Sequence, residues 1–380
     1  MIELKSKTDC CGCTACLSIC RHEAIKFLPD NEGFMYPQFD SEKCVGCGLC
    51  DKVCPVITYK LQPKFADPLI YAAVNSDHAD YLRSSSGGIF ILLCKWVIAH
   101  DGVVCGAEYN KDFNVKHGFA DTVEKCRKFH GSKYVQSDVR GIYRQVEAFL
   151  KVGRKVLFSG TPCQVEGLKL FLRKEYPNLY TVDIICHGVP SPRVYRDWLT
   201  FIKGKSQVTS IHMKSKVEGK PGTAIRVELA GGKAMRGTVK TDLWNSLYFG
   251  EYITRPSCHD CQFTHYNRPS DITIGDYWGV RKHLPDFHPD KMVSLVFVNN
   301  EHGRTLLDAI SPAIDFAKIN KEESKQPQLQ YPSAANAERN DFWNDYLRHG
   351  FLYVTHKRLG YNRFNRIKSF ISKNIIHIKR

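Results

Sequence analysis

Eight of the sixteen cysteines in this 380-residue chain form two runs of one spacing near its start. The first run is Cys10-x2-Cys13-x2-Cys16-x3-Cys20 and the second is Cys44-x2-Cys47-x2-Cys50-x3-Cys54, closed by Pro55. Three thiolates at this spacing wrap one face of a cube of iron and sulfide, and the fourth reaches across to the neighbouring cube. That rule assigns Cys10, Cys13, Cys16 and Cys54 to one 4Fe–4S cluster and Cys44, Cys47, Cys50 and Cys20 to another. Gly12, Gly46 and Gly48 suit the sharp turns such a wrap demands. A zinc site also uses C-x2-C pairs, but two complete runs exceed what one zinc needs. Cys11 is an extra thiol inside the first run, read as a spare neighbour of the ligands.

Residues 1–58 thus resemble a two-cluster bacterial-type ferredoxin domain, although Cys20 is followed by Arg21 where Cys54 is followed by Pro55. The chain is too long for that domain alone, and 43% hydrophobic residues point to a substantial packed core. Tyr59 to Pro68 reads as a linker. Beyond it, short apolar strands at 70–74, 103–109, 155–158 and 180–185 alternate with helical segments at 89–100, 139–151, 163–174 and after Pro192, which argues for an α/β body. Residues 207–233 alternate and are rich in β-branched residues, as in an antiparallel insertion. Residues 295–298 and 301–310 restore a strand and a helix. The fold class expected is α+β: the ferredoxin domain at 1–58, a mixed α/β body at 69–150 and 151–330 with the antiparallel insertion, and a basic helical tail at 331–380.

Of the remaining cysteines, Cys94 and Cys105 read as buried structural residues, and Cys126, among charged neighbours, has no assigned role. Cys163 and Cys186 each follow a strand on a Gly/Pro-bracketed loop, where α/β sites lie. Cys258-His259-Asp260-Cys261 is a metal-type pair. Spacing alone leaves a third 4Fe–4S site, a structural zinc and a redox-active thiol pair open.

Several segments taken together resemble the beta subunit of coenzyme F420-reducing hydrogenases and dehydrogenases. They are Ser86-Gly87-Gly88, Gly131 to Ser137, Gly160-Thr161-Pro162-Cys163-Gln164, Asp183 to Pro192, Arg255 to Cys261, and Ser270 to Gly279. The resemblance covers roughly residues 1–310. It implies that the body carries its own 4Fe–4S cluster on Cys163, Cys186, Cys258 and Cys261, and a flavin, expected as FAD. For the flavin, Ser86-Gly87-Gly88 before a helix offers an anion site, and Lys133 beside Tyr134 offers a cation and a ring. Lys133 alone reads as a solvated surface lysine. Asp271, Asp276 and Tyr277 either orient flavin or substrate or shape a turn. No G-x-G-x-x-G is present. His187 is a catalytic candidate, better read as a hydrogen-bonding neighbour of Cys186.

A cluster passes one electron and a hydride carries two, so a flavin beside clusters converts between them. The expectation is an iron–sulfur flavoprotein oxidoreductase acting on coenzyme F420 or another organic substrate. The alternatives are a non-catalytic electron-transfer subunit serving a partner such as a ferredoxin or hydrogenase-like protein, and a metal-stabilised binding module. The net charge of +15 permits an acidic partner, nucleic acid or an anionic membrane, but sparse aromatic–basic interleaving disfavours nucleic acid. No apolar signal segment precedes Asp9, and cysteine-rich metal ligation fits a reducing cytoplasm. Phe364, Ile367, Phe370, Ile371, Ile375 and Ile378 recur at near-helical spacing among basic residues. That pattern reads as a domain-docking helix or as a peripheral contact with the inner membrane surface.

Overall fold

The computed structural model describes residues 4–58, 68–204, 206–217, 220–237 and 242–361. The N-terminal part holds a short helix α1 (Ala15–Ile19), a hairpin of β1 (Ile25–Pro29) and β2 (Met35–Phe39), and two further turns of helix, α2 (Leu49–Lys52) and α3 (Pro55–Thr58). Gly12, Gly46 and Gly48 all have positive φ, at 74°, 70° and 67°, as the turns between ligands require.

The body is built on one eight-stranded sheet. Its elements in chain order are β3 (Leu69–Asn75), α4 (His78–Arg83), α5 (Ile89–Ala99), β4 (Val103–Tyr109), β5 (Val115–Ala120), α6 (Val123–Cys126), α7 (Ile142–Lys151), β6 (Val156–Gly160), α8 (Pro162–Leu172), β7 (Leu179–Ile184) and α9 (Pro192–Lys203). A separate antiparallel sheet follows, β8 (Val208–Val217), β9 (Lys220–Leu229) and β10 (Ala234–Gly237), in the order β10-β9-β8. Then come α10 (Leu243–Phe249), β11 (Ile272–Asp276), α11 (Val280–His283), β12 (Ser294–Val298), α12 (Glu301–Ile310), β13 (Ile314–Ile319), α13 (Arg339–His349) and α14 (Phe351–Leu359). The large sheet runs β13-β3-β12-β11-β7-β6-β4-β5. Its middle, β4-β6-β7-β11, is parallel, and both flanks are antiparallel. The parallel strands are nearly continuous apolar runs because helices cover both faces. Their carboxyl ends point the loops after β6, β7 and β11 to one edge.

The sequence-predicted strands and helices recur within a few residues of the expected bounds, and the insertion is antiparallel as its alternation implied. Cys126 differs from its expected isolation. It is fully buried, and it packs in one cluster with Cys94 of α5. α6 is short, and its flanking charges sit on the solvent side while the cysteine faces α5. The body core divides about the sheet. Ile91, Leu93 and Val97 of α5 pack with Leu306 and Ile310 of α12 in one cluster. In another, Val146 and Leu150 of α7 and Leu168 and Phe171 of α8 enclose Cys13, Ala15, Ile19 and Val53 of the N-terminal part. The ferredoxin-like region therefore shares a hydrophobic core with the body.

Helices α13 and α14 bury Phe342, Trp343, Tyr346, Phe351 and Val354 against the small sheet, α9 and α10. This part of the tail is thus a docked helical pair. The apolar series from Phe364 to Ile378 lies outside the described residues. Among the described residues no helix is long and apolar enough to cross a membrane.

His117 of β5 is buried, with its ring stacked on Phe158 at 5.5 Å and its Nε2 bonded to the Ser159 carbonyl at 2.9 Å. Burial lowers its pKa from the ordinary 6.5 to about 4. A depressed folded-state value contributes stability above the unfolded value, and that contribution disappears as pH falls through the folded one. His117→Phe is expected to flatten the loss of thermal stability between those limits, an effect of the order of 3 kcal/mol. Melting curves of parent and variant across this range check it.

Candidate functional site

The two cysteine runs fold into neighbouring sets. Cys20 lines the same pocket as Cys44, Cys47 and Cys50. Cys10, Cys13, Cys16 and Cys54 gather on the other side. Burial, and then the charges of Cys10 and Cys54, hold the Cys16 thiol far above its ordinary pKa. Cys47 is exposed and Val45 beside it is 62% exposed, so the second set faces solvent while the first faces the body.

Body thiols converge at the carboxyl edge of the sheet. β6 ends in Gly160, and Pro162 opens α8 at its first turn, where a missing N–H is no loss. The Gln164 side chain accepts from the Thr161 N–H at 3.0 Å and closes the cap. Cys163 therefore sits at a helix start. One turn on, Gly167 leaves room for the other domain, since a Cβ there would lie 3.0 Å from the Cys13 sulfur.

β7 leads into Cys186. The segment after it is zipped to residues 253–255: the Ser191 N–H donates to the Ile253 carbonyl and that of Arg255 to the Val189 carbonyl, both at 2.9 Å. This pairing brings Cys258 against Gly188. Gly188 has φ 134°, and a Cβ there would lie 2.6 Å from Thr254 and 3.3 Å from the Cys258 Cβ. Arg268, buried, pairs with Asp183 at 3.2 Å and donates to the carbonyls of Phe263 and Ile184, pinning the loop after Cys261 to the end of β7.

Cys163, Cys186, Cys258 and Cys261 line one cavity of about 120 Å³, and Cys11 lines it as a fifth thiol. Burial first, then the charges of Cys163 and Cys261, push Cys186 up to about 12; burial and Cys163 push Cys261 up to about 11. Thiols that hold one another protonated in this way release protons when a metal takes their charge. Among the described residues no three His, Cys, Asp or Glu side chains close round a single metal-ion position. A buried, all-sulfur set lining a cavity fits a cluster better than a mononuclear zinc, which needs four ligands drawn onto one point. Cys11 is more than a spare neighbour, because its thiol sits near those of both Cys13 and Cys163 at the seam between the domains.

His187 is held on both ring nitrogens, by Glu251 at 2.6 Å on Nε2 and by Gln328 at 3.0 Å on Nδ1. This fixes the ring beside Cys186, as a ligand-orienting residue needs. From it an aromatic group runs across the body. Tyr248 and Phe249 lie 5.2 and 5.3 Å from the His187 ring, and Tyr134 lies 5.4 and 5.8 Å from those two.

Tyr134 belongs to a cationic corner. Ser132 N–H donates to Ser85 Oγ at 2.6 Å, joining the two motif segments. Lys214 pairs with Asp276 and lies 5.5 Å from the Trp278 ring, while Lys216 donates to the carbonyls of Tyr81 and Ser86. Sequence reading missed both lysines, although their i, i+2 spacing places them on one face of β8. Lys133 is not a solvated surface lysine. Its Nζ bonds the His130 and Gly131 carbonyls at 3.0 and 3.3 Å, and burial lowers its pKa to about 7. Burial likewise lowers Lys216 to about 7.

The glycines of the Ser-Gly-Gly segment have a packing role. Gly87 donates to Ser294 Oγ at 2.8 Å, and a Cβ there would lie 2.2 Å from the Ala73 carbonyl. The Gly88 carbonyl accepts from Asn75 at 3.0 Å. Asp271 and Tyr277 are structural. Asp271 accepts from Thr181 N and Oγ1 at 2.6 and 2.8 Å and from Asn300 at 2.6 Å, and Tyr277 is buried with its hydroxyl on the Glu323 carbonyl. Asp271→Ala strands these buried donors and is expected to cost about 2–3 kcal/mol. A lowered melting temperature with an unchanged visible spectrum checks it.

Residues 9–57 match the 4Fe-4S dicluster domain, and residues 153–322 match the family defined by the C terminus of the coenzyme F420 hydrogenase/dehydrogenase beta subunit. Over 199 residues the chain is 26% identical to a coenzyme F420-dependent sulfite reductase of Methanocaldococcus jannaschii, a match that spans 50% of this chain and 29% of that protein. The chain thus spans less than a third of that relative's length. A solved chain of the F420-reducing [NiFe] hydrogenase complex from Methanosarcina barkeri aligns with a TM-score of 0.47 at 19% identity, covering 78% of this chain and 93% of that one. The chain thus joins an N-terminal 4Fe-4S dicluster domain to a body whose residues 153–322 match the C terminus of the coenzyme F420 hydrogenase/dehydrogenase beta subunit.

Proposed function

We propose that the chain is an iron–sulfur flavoprotein oxidoreductase, exchanging electrons between three 4Fe–4S clusters and a flavin that serves coenzyme F420 or another organic substrate. The observation that carries this reading is the shared lining of one cavity by Cys11 of the N-terminal run and Cys163, Cys186, Cys258 and Cys261 of the body, with the Cys13 sulfur packed on Gly167. That shared cavity supports electron passage between the two parts.

Cys10, Cys13, Cys16 and Cys54 would hold one cluster, Cys20, Cys44, Cys47 and Cys50 a second, and Cys163, Cys186, Cys258 and Cys261 the third. The exposed edge at Val45 and Cys47 suits exchange with a redox partner. Ser86, Gly87, Gly88, Lys133, Tyr134 and Asp276, with Lys214 and Lys216, would form the FAD corner. A bound flavin supplies the conversion between single electrons and a hydride. Lys214 and Lys216 would offer charge to its phosphates, and Tyr134 and the exposed Trp278 would offer ring faces. Asp276 holds the Lys214 ammonium in place. Tyr248 and Phe249 lie between His187 and Tyr134. His187 keeps the Cys186 loop in register through Glu251 and Gln328.

Anaerobic purification with iron, sulfide and flavin quantitation tests the reading. About twelve iron atoms per chain and one flavin are expected, whereas about eight iron atoms would leave only the N-terminal pair. Lys216→Met is expected to weaken flavin retention about 10- to 100-fold, the worth of one charge-assisted hydrogen bond, with iron content unchanged. Reduction of a soluble acceptor by the isolated chain separates an enzyme from a passive relay.

A further inference from the structure

Arg255 is fully buried, and it sits on the seam between the N-terminal domain and the body. Its Nε donates to the Cys10 carbonyl at 2.8 Å, Nη1 to Gln136 Oε1 at 2.9 Å and Nη2 to the Met35 carbonyl at 3.1 Å. The rings of Tyr36 and Phe34 flank it at 4.3 and 5.3 Å. None of these hydrogen-bond partners carries a charge. Gln136 completes the grip by donating to the Cys11 carbonyl at 3.2 Å. Both side chains press on Gly12, where a Cβ would lie 2.7 Å from Gln136 and 3.0 Å from Arg255.

A buried guanidinium held only by neutral groups is expensive, because desolvation of the charge is not offset by a counter-charge. The groups able to become negative around it include Cys10, Cys11, Cys163 and Cys258, with Tyr36. Two of them belong to different sets: Cys10 is a proposed ligand on the N-terminal side, and Cys258, three residues after Arg255, is one on the body side. Each set carries net negative charge once its thiolates ligate a cluster.

We propose that Arg255 is a positioning residue that acts as the shared counter-cation of the two adjacent thiol sets, holding the Cys10 turn against the body and raising the reduction potential of both clusters. The inference rests on the three-cluster reading above. A cation placed between two anionic groups favours the more negative, reduced state of each, and the charge and hydrogen bonding around a cluster set its potential. It also makes domain docking depend on cluster assembly, since the cation is compensated only when the thiolates are ligated. A purely mechanical clamp would stabilise the seam without touching either potential.

The test uses the full chain, purified anaerobically, with iron and sulfide content measured before an EPR-monitored redox titration. Arg255→Met, close in volume and uncharged, is expected to shift the potentials on the Cys10 and Cys258 sides to more negative values. The solvent-facing set at Cys20, Cys44, Cys47 and Cys50 should stay unmoved. Arg255→Lys keeps the charge and loses the fork, so it is expected to retain the potentials at reduced thermal stability. Full iron with unmoved potentials in Arg255→Met overturns the inference. If Arg255→Met fails to retain iron, Arg255→Lys decides: full iron supports the charge role, and equal loss overturns it. An unaltered chain with about eight iron atoms instead breaks the body-cluster reading, and the shared-cation inference with it.

Discussion

The hydrogen bond from Arg255 to the Cys10 carbonyl joins residues 245 positions apart and fixes how the two halves of this protein meet. Other body side chains extend the grip. Arg144 donates to the carbonyls of Ser18 and Cys20, Ser191 to that of Glu32, and Arg193 to that of Asn31. Arg339 pairs with the Glu32 carboxylate and also reaches the Thr254 carbonyl. Much of this contact is cation to carbonyl, which constrains direction as well as distance. Part of the basic surplus in the composition is therefore spent inside the molecule, and the net charge says correspondingly less about external partners.

With that seam fixed, the sheet does the rest of the positioning. Parallel strands β6 and β7 end side by side, so Cys163 and Cys186 reach one edge without any sequence relation between them. The 253–258 segment is brought in by backbone pairing, and Gly188 permits the final approach. The same carboxyl edge carries Asp276 at the end of β11, and the antiparallel insertion contributes Lys214 and Lys216 over it. Tyr248 and Phe249, on the helix after the insertion, lie between the thiol cavity and that corner. The insertion is thus part of the site's wall rather than an appendage.

Cysteine spacing makes the N-terminal sets legible because all the ligands of one arc lie within a few residues, where turn geometry alone decides their positions. Strand and helix periodicity is legible for the same local reason. Cys126 is not, because its flanking charges conceal a side chain that faces α5. Lys133 is not, because its partners, the carbonyls of His130 and Gly131, are backbone groups that no residue pattern announces. Gly87 carries the right residue type for an anion loop, yet its environment is the crowded contact with β3 and β12.

By itself, then, the sequence determined which residues could ligate, where turns had to fall, and that an α/β body with an antiparallel insertion would follow a cysteine-rich head. Those properties depend on short-range spacing, and short-range spacing is written in the chain. Only the tertiary structure decided that Cys11 spans two thiol sets, that Arg255 is buried without a charged hydrogen-bond partner, that Lys214 and Lys216 face Asp276 and Ser86, and that aromatic rings lie between His187 and Tyr134. Each joins segments far apart in the chain, and only the packing of the core and the order of strands in the sheet bring them together.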